Sequence, residues 1–296
     1  LANGIAYVQA ALDAGLRVDD FAPRLAFFFN GHNNVFQEVA KFRAARRMWA
    51  HIMRERFGAR EENSTKLRFH TQTGGVTLTA QQPENNIVRV ALQGFAAVCG
   101  GTQSLHTNGF DEALALPTEH AARIALRTQQ ILAYESGAAE TIDPFAGSYF
   151  VESLTDEIEE RAWELIGKVD ELGGSVNAVS FMKNEIEESA FSYNERYRTG
   201  QDIVVGVNKY VTEDLEVPDI LKVDQASEDA QVERLQRFKS ERDAELVDRR
   251  LEELRDAARG TDNLLPPIRQ ALKDRASLGE VCGAMRDVFG EYQPDN

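Results

Sequence analysis

The spacing of apolar residues predicts strands that alternate with helices over the first half of the chain. Each predicted strand is a short run, and a helix-length segment with apolar residues three or four positions apart follows it. The predicted strands cover 24–30, 66–72 and 102–108, and the predicted helices cover 1–16, 33–57, 85–99 and 118–136. Strands joined by one helix are expected to pair in parallel.

The second half of the chain is predicted to be mainly helical. Helices are expected over 155–172 and 228–259, with a last helix that ends at Phe289 and one short β-run at 203–207. A closed (β/α)8 barrel needs eight strands, and three are predicted here. The sequence therefore predicts an α/β fold, in which the C-terminal portion of a TIM barrel, about three strands, precedes a mainly helical region. The expected domains are 1–150 for the barrel portion and 151–296 for the helical region and linker.

The second and third predicted strands carry polar residues where a barrel strand usually carries Val, Ile and Leu. Because side chains alternate along a strand, Arg68, His70 and Gln72 are expected on one face. For one such strand, satisfied core or turn residues would be an equally good interpretation. Two in succession favour a ligand, which in α/β barrels binds at the carboxyl ends of the strands.

Composition narrows the class of partner. The net charge of −15 argues against nucleic acid, because a phosphate-binding surface needs clustered Lys and Arg. Cys99 and Cys282 lie far apart, so neither a disulfide framework nor a cysteine metal site is indicated, and we expect no metal. The sequence contains no run of about twenty apolar residues, so no membrane-spanning helix is predicted. These features favour a cytoplasmic protein.

The beginning of the chain is typical of a segment taken from a longer polypeptide. It opens with Leu1 rather than Met, and Ile5, Val8 and Leu12 already keep a helical spacing. We therefore expect the chain to be a fragment.

Several ordered motifs along the chain resemble the methylmalonyl-CoA mutase family, the coenzyme-B12-dependent acyl-CoA mutases. These are RFHTQT at 68–73, PENNIVR at 83–89, GTQSLHTN at 101–108, DEAL at 111–114, DPFAGSY at 143–149, VGVNKY at 205–210 and VFGE at 288–291. They cover essentially the whole chain. The resemblance implies that an acyl-CoA substrate threads along the barrel axis, which explains why polar side chains replace packed aliphatic ones.

The resemblance also assigns substrate contacts, residue by residue. Arg24 and Phe28 match positions that contact the CoA portion in relatives, but Ala26 stands where many relatives have Ser. The other matched substrate contacts are Arg68, His70, Gln72, Gln103 and Ser104. No catalytic residue can be assigned from the sequence.

Adenosylcobalamin is the cofactor that the resemblance implies. Glu112, Ala113 and Leu116 match the face that touches cobalamin, with Glu112 reaching toward the adenosyl group. From the residues alone, Glu112 would be interpreted as a first-turn helix carboxylate. No Asp-x-His-x-x-Gly stretch is present. We therefore expect most of the cofactor site to lie in another domain or chain.

The first hypothesis is that the chain is part of an acyl-CoA mutase, which converts (R)-methylmalonyl-CoA to succinyl-CoA by a radical 1,2 carbon-skeleton shift. The alternatives are the large subunit of an isobutyryl-CoA or 2-hydroxyisobutyryl-CoA mutase and, in another class, a non-catalytic remnant that acts as an interaction module. The expected partners are the acyl-CoA, a cobalamin-binding subunit or domain and the N-terminal half of the barrel, in a hetero-oligomer. The isolated chain is expected to be inactive, and the residues that select the acyl group are expected upstream of Leu1.

Overall fold

A parallel three-stranded sheet, in the order β1, β2, β3, organises the first part of the chain. The computed structural model describes residues 1–212, 220–222, 224–291 and 293, and it divides into two units, Leu1–Leu221 and Lys222–Asn296. The strands are β1 Phe27–Gly31, β2 Phe69–Thr73 and β3 Ser104–His106. The prediction of three parallel strands is confirmed. Each strand begins two or three residues later than predicted, and before β1 a 3-10 turn at Ala22–Arg24 contains Pro23.

Seven helices of the first unit lie around this sheet in the part of the chain that the structure describes. They are α1 Ala2–Asp13, α2 Val18–Phe21, α3 Val35–His51, α4 Asn85–Cys99, α5 Glu119–Tyr134, α6 Tyr149–Glu171 and α7 Val179–Arg198. α3 continues into a π-helical turn at Ile52–Arg56. The bounds predicted for α4 are confirmed, and Thr118 caps α5 as expected by accepting a hydrogen bond from the Ala121 amide.

Three features of the first unit differ from the prediction. α6 begins at Tyr149 rather than 155, because the Ser148 side chain accepts a hydrogen bond from the Val151 amide and so starts the helix earlier. α7 was missed. The predicted β-run at 203–207 is wrong, since only an isolated bridge joins Val205 to Lys209.

One face of the sheet packs on α3 and is filled by aromatic side chains, and we call it the closed face. The Phe29 ring lies 5.4 Å from the Phe69 ring, and Phe69 stacks on Phe42 of α3 at 5.1 Å. Phe42 and Phe69 are almost completely buried. A Cβ atom on Gly100 would lie 2.3 Å from the Phe42 ring, so only glycine fits at this position. Truncation of one such ring typically costs about 3–5 kcal/mol, which shows how firmly this face is held.

α6 packs along α3 through an arginine network. Arg43 bonds Glu152 at 2.7 Å, Asp143 at 3.1 Å and the Thr155 hydroxyl at 3.0 Å. The hydrogen bond from Arg43 lowers the pKa of Glu152, and the same pair raises the pKa of Arg43. Arg43 thus pairs with two carboxylates that lie about a hundred residues later in the chain.

The first unit extends past the domain boundary expected at residue 150. Because α6 packs on α3, the compact unit continues to Leu221. The division into domains 1–150 and 151–296 stays a prediction about the longer protein. No helix in the described part of the chain is long and apolar enough to cross a membrane.

The second unit is a small group of helices with its own core. They are α8 Gln225–Ser240, α9 Ala244–Arg259, α10 Leu265–Lys273 and α11 Leu278–Phe289, and their buried residues are Val247, Leu251, Leu254, Ala271, Ala276, Val281 and Ala284. The single helix predicted over 228–259 is two helices. The chain breaks because Asp243 caps α9 by accepting a hydrogen bond from the Leu246 amide at 2.9 Å.

We expect Arg43→Gln to lower the melting temperature by about 2–6 °C at pH 7, because it leaves two carboxylates without their cation. Glu152 has a lowered pKa in the folded state, so its contribution is present above its ordinary value of 4.5 and is lost as pH falls through the folded value. The difference between wild type and variant should therefore shrink in acid. Thermal melts between pH 3 and pH 7 would test this, and a constant difference would contradict it.

Candidate ligand site on the open face of the sheet

The strand register places the predicted polar residues in two rows on the open face of the sheet. One row is Phe28, His70 and Ser104, and the next is Asn30, Gln72 and His106. All six side chains are half-buried or exposed, and Phe28 is 61% exposed. The prediction that His70 and Gln72 share one face is confirmed, and the alternation of side chains places Arg68 on it as well.

In the first row, the three side chains contact one another. His70 Nδ1 lies 2.7 Å from Ser104 Oγ, and the Phe28 ring lies 5.2 Å from the imidazole. The bond to Ser104 orients the imidazole, and in the described part of the chain the ring makes no second hydrogen bond. His70 can therefore offer its other nitrogen to a ligand.

Gln72 of the second row is held by Asn108, a residue that was not predicted to belong to the site. Gln72 donates from Nε2 to Asn108 Oδ1 at 3.1 Å, and Asn108 Nδ2 donates to the Thr73 carbonyl at 3.0 Å. The backbone amide of Asn108 also donates a hydrogen bond to Thr73 Oγ1 at 2.9 Å. Asn108 is 2% exposed, so these bonds are shielded from water. Its place directly after β3, at the end of the GTQSLHTN motif, could have pointed to it.

The residues expected to face cobalamin lie together in the turn that follows β3. Asp111 fixes this turn, because its Oδ2 accepts bonds from the Thr118 amide at 2.9 Å and from the Thr118 hydroxyl at 3.0 Å. Glu112, Ala113 and Leu116 are exposed on it. The interpretation of Glu112 as a helical residue is wrong, since it precedes α5 and lies in the turn.

The turns after β2 and β3 meet at Gly75. A Cβ atom there would lie 3.0 Å from Asn108 Nδ2 and 3.4 Å from Glu112 Oε1. Any larger residue would press on both side chains. This close approach brings Gln72, Asn108 and Glu112 to one place at the carboxyl ends of the strands.

The remaining predicted residues lie at the opposite, amino ends of the strands. Arg24 is exposed on the turn before β1, and Arg68 directly precedes β2, where its Nη1 donates to the Asn63 carbonyl at 3.1 Å. Gln103 directly precedes β3. Its Oε1 accepts from the Phe69 amide at 2.6 Å, and its Nε2 donates to the Gly101 carbonyl at 2.8 Å.

The predicted residues are therefore spread along the length of the strands and do not surround a single point. Gly75 lies seven positions after Arg68 in the chain, and an extended chain spans at most about 3.3 Å per position, so the two residues are at most about 23 Å apart. A ligand that touched both ends would have to be long and narrow. Within the described residues, no three His, Cys, Asp or Glu side chains lie together as metal ligands would.

Comparison with known proteins gives one consistent family. Residues 1–291 match the family model for methylmalonyl-CoA mutase. The methylmalonyl-CoA mutase of Rhizobium meliloti (strain 1021) is 49% identical over 296 residues, which cover 99% of this chain and 41% of that protein. The human mitochondrial methylmalonyl-CoA mutase is 44% identical over 300 residues, which cover 100% of this chain and 40% of that protein.

A relative that is named for a different reaction is similar over the same length. The 2-hydroxyisobutanoyl-CoA mutase large subunit of Aquincola tertiaricarbonis is 44% identical over 297 residues, which cover 99% of this chain and 53% of that protein. The chain thus spans between 40% and 53% of the length of these three relatives.

We expect the two glutamines of the site to differ in their effect on stability. Gln103→Ala removes the acceptor of the Phe69 amide and should lower the free energy of unfolding by about 1–2 kcal/mol. Gln72→Ala leaves Asn108 Nδ2 bonded to Thr73, and because Gln72 is half-buried on the open face, water can replace it as the donor to Asn108 Oδ1, so the cost should be about 0.5 kcal/mol or less. Chemical denaturation of both variants would measure the two values, and equal losses would contradict the assignment.

Proposed function

Because the chain belongs to the methylmalonyl-CoA mutase family, we propose that it forms the acyl-CoA-binding part of a coenzyme-B12-dependent acyl-CoA mutase. The mutase family implies an isomerase. The first candidate reaction is the conversion of (R)-methylmalonyl-CoA to succinyl-CoA. The large-subunit relative supports 2-hydroxyisobutyryl-CoA as a second candidate substrate, and isobutyryl-CoA is a third.

The observation that carries this proposal is the open, polar face of the sheet. Its opposite face is closed by the Phe42 and Phe69 rings, whereas the rows that contain His70 and Gln72 have no helix packed on them in the described part of the chain. The polar groups of these rows are accessible to a ligand, and the thioester, amide and hydroxyl groups of an acyl-CoA can form hydrogen bonds with them. The length of the face suits the extended pantetheine arm.

Each group of residues has a separate task in this proposal. Arg24 and Arg68, at the amino ends of the strands, bind the charged end of CoA, and a hydrogen bond to a charged group contributes about 1.5–3 kcal/mol. His70, oriented by Ser104, donates to or accepts from the arm near the thioester. Gln72, held by Asn108, orients the acyl group at the carboxyl ends.

The turn after β3 fits the cofactor that the family uses. It presents two exposed apolar side chains, Ala113 and Leu116, next in the chain to the Glu112 carboxylate, and Glu112 packs closely on Gly75. A broad, partly apolar group with hydrogen-bonding edges suits such a surface. Adenosylcobalamin, when bound, supplies the radical chemistry that begins the rearrangement. Glu112 would bind the adenosyl portion, and Leu116 would exclude water from that side.

Partners complete the proposed enzyme. Three strands do not close a barrel, and in the described residues β1 and β3 each pair along one edge only. We propose that further strands and a cobalamin-binding subunit or domain complete the site. Residues 1–296 by themselves should then bind substrate poorly and catalyse nothing.

The test is a carbon-skeleton rearrangement assay with adenosylcobalamin and each of the three acyl-CoA esters. Residues 1–296 alone should be inactive, and they should stay inactive with the cobalamin-binding partner alone. Activity should require the remaining barrel strands as well. Activity from residues 1–296 alone would overturn the proposed division of labour, and absence of acyl-CoA binding by every combination would favour a non-catalytic interaction module.

In the active combination, we expect Gln72→Ala to lower kcat/KM by about tenfold or more, because it removes a positioning contact. The melting temperature should change little. Gln9→Ala, on the exposed side of α1, is the matched control and should leave kcat/KM unchanged. If the two variants behaved alike, the assignment of Gln72 to the substrate site would be wrong.

A further inference from the structure

A cavity of about 520 Å³ lies beside the loops that follow β1 and β2. Its other walls come from the first turns of α4, from α7 and from the segment that follows α7. Val76 and Thr77, which line it, directly follow Gly75 in the chain. Among the described residues, the cavity nevertheless shares no lining residue with the candidate ligand site, so the proposed function does not account for it.

Much of the cavity wall is apolar. Tyr193 and Tyr197 lie one turn apart, so their rings belong to the same side of α7. Exposed apolar side chains that gather around one concave surface are typical of a binding site. Four branched side chains of this kind line the cavity and are 44–83% exposed, namely Val76, Val88, Ile203 and Val205.

Arg89 is the one charged residue among the described residues that line the cavity. Its Nη1 donates to Thr79 Oγ1 at 3.0 Å and to Asn86 Oδ1 at 2.8 Å, and its Nη2 donates to the Val205 carbonyl at 2.7 Å. All three partners are neutral. Arg89 is half-buried, and this burial lowers its pKa. In the described part of the chain, the cation therefore has no counter-ion.

Hydrogen-bond donors remain for an anion on this wall. A guanidinium group has five N–H donors, so Nε–H and one N–H of Arg89 Nη2 are unused among the described residues. Gln93, one turn further along α4, donates to Asn33 Oδ1 at 2.5 Å and leaves the Asn33 amino group as a further donor on the wall. One cation beside an apolar wall balances one negative charge, which favours a carboxylate over a doubly charged phosphate.

We propose that this cavity binds a small organic monocarboxylate with an apolar body, and that Arg89 binds its carboxylate group. The apolar body covers Val88 and packs against the tyrosine rings of α7. The volume lies within the range of about 300–1,000 Å³ that is usual for small-molecule sites. This inference goes beyond the proposed function and does not depend on it.

The test is titration of the complete protein that contains this chain with 3-phenylpropanoate, followed by ligand-observed NMR. 3-Phenylpropanamide has the same apolar body without the charge, and acetate has the charge without the body. 3-Phenylpropanoate should bind about tenfold or more tightly than either, because the charged hydrogen bonds and the apolar contact both contribute. Saturating CoA should leave this binding unchanged. Competition by CoA would place the probe in the substrate site and would overturn the inference.

The variant Val88→Trp tests whether the probe lies in this cavity. The larger side chain should fill part of the cavity and weaken the binding of 3-phenylpropanoate about tenfold or more, while the three hydrogen bonds of Arg89 are kept. Leu126→Trp, at an exposed position of α5 that does not line the cavity, is the matched control and should bind the probe as wild type does. Equal binding by both variants would contradict the proposal.

The variant Arg89→Gln tests the role of the cation. It should remove the preference for 3-phenylpropanoate over 3-phenylpropanamide, which a purely structural role of Arg89 would leave in place. A folded variant that kept the preference would overturn the assignment. If this variant failed to fold, the comparison of Val88→Trp with Leu126→Trp would still decide. Loss of CoA binding by wild type would count against the proposed function alone, whereas absence of saturable probe binding would count against this inference alone.

Discussion

The packing of α3 on one face of the sheet is the constraint on which the rest of the first unit depends. Phe42 and Phe69 stack at 5.1 Å, and Gly100 has no Cβ, so that the Phe42 ring fits beside the chain there. Because α3 covers this face of the sheet, the alternate side chains of each strand point to the opposite, open face. A sheet with two packed faces would leave no room for an extended ligand. One-sided burial is thus what leaves His70 and Gln72 accessible to a ligand.

Polar side chains tie together the loops at the carboxyl ends of the strands. Asn86, which is fully buried in α4, donates to the carbonyls of Thr79 and Phe110 and so ties the loop after β2 to the loop after β3. Asn108 and Asp111 fix the same region from β3. Every one of these bonds is made to backbone or to a neighbouring polar group, so the loops are ordered before a ligand binds, which lowers the entropic cost of binding.

Local sequence predicted elements well wherever a buried stripe or a cap accompanied them. α4 has a clear apolar face, and both its ends were predicted correctly; Thr118 was recognised as a cap because its side chain acts on its own helix. α7 has no buried residue, so its sequence carries no stripe to detect. The break before α9 was missed because Asp243 resembles any other charged residue in a highly charged segment until its cap bond is seen.

The sequence by itself determined the strand–helix alternation, the family and the shared face of Arg68, His70 and Gln72. These properties follow from the order and spacing of residues within single elements, where the period of two in a strand fixes the side on which each residue lies. Only the tertiary structure decided that Gln72 donates to Asn108 and that Gln103 accepts a hydrogen bond from the backbone of β2. Such contacts depend on how elements far apart in the chain align, and no local period records that alignment.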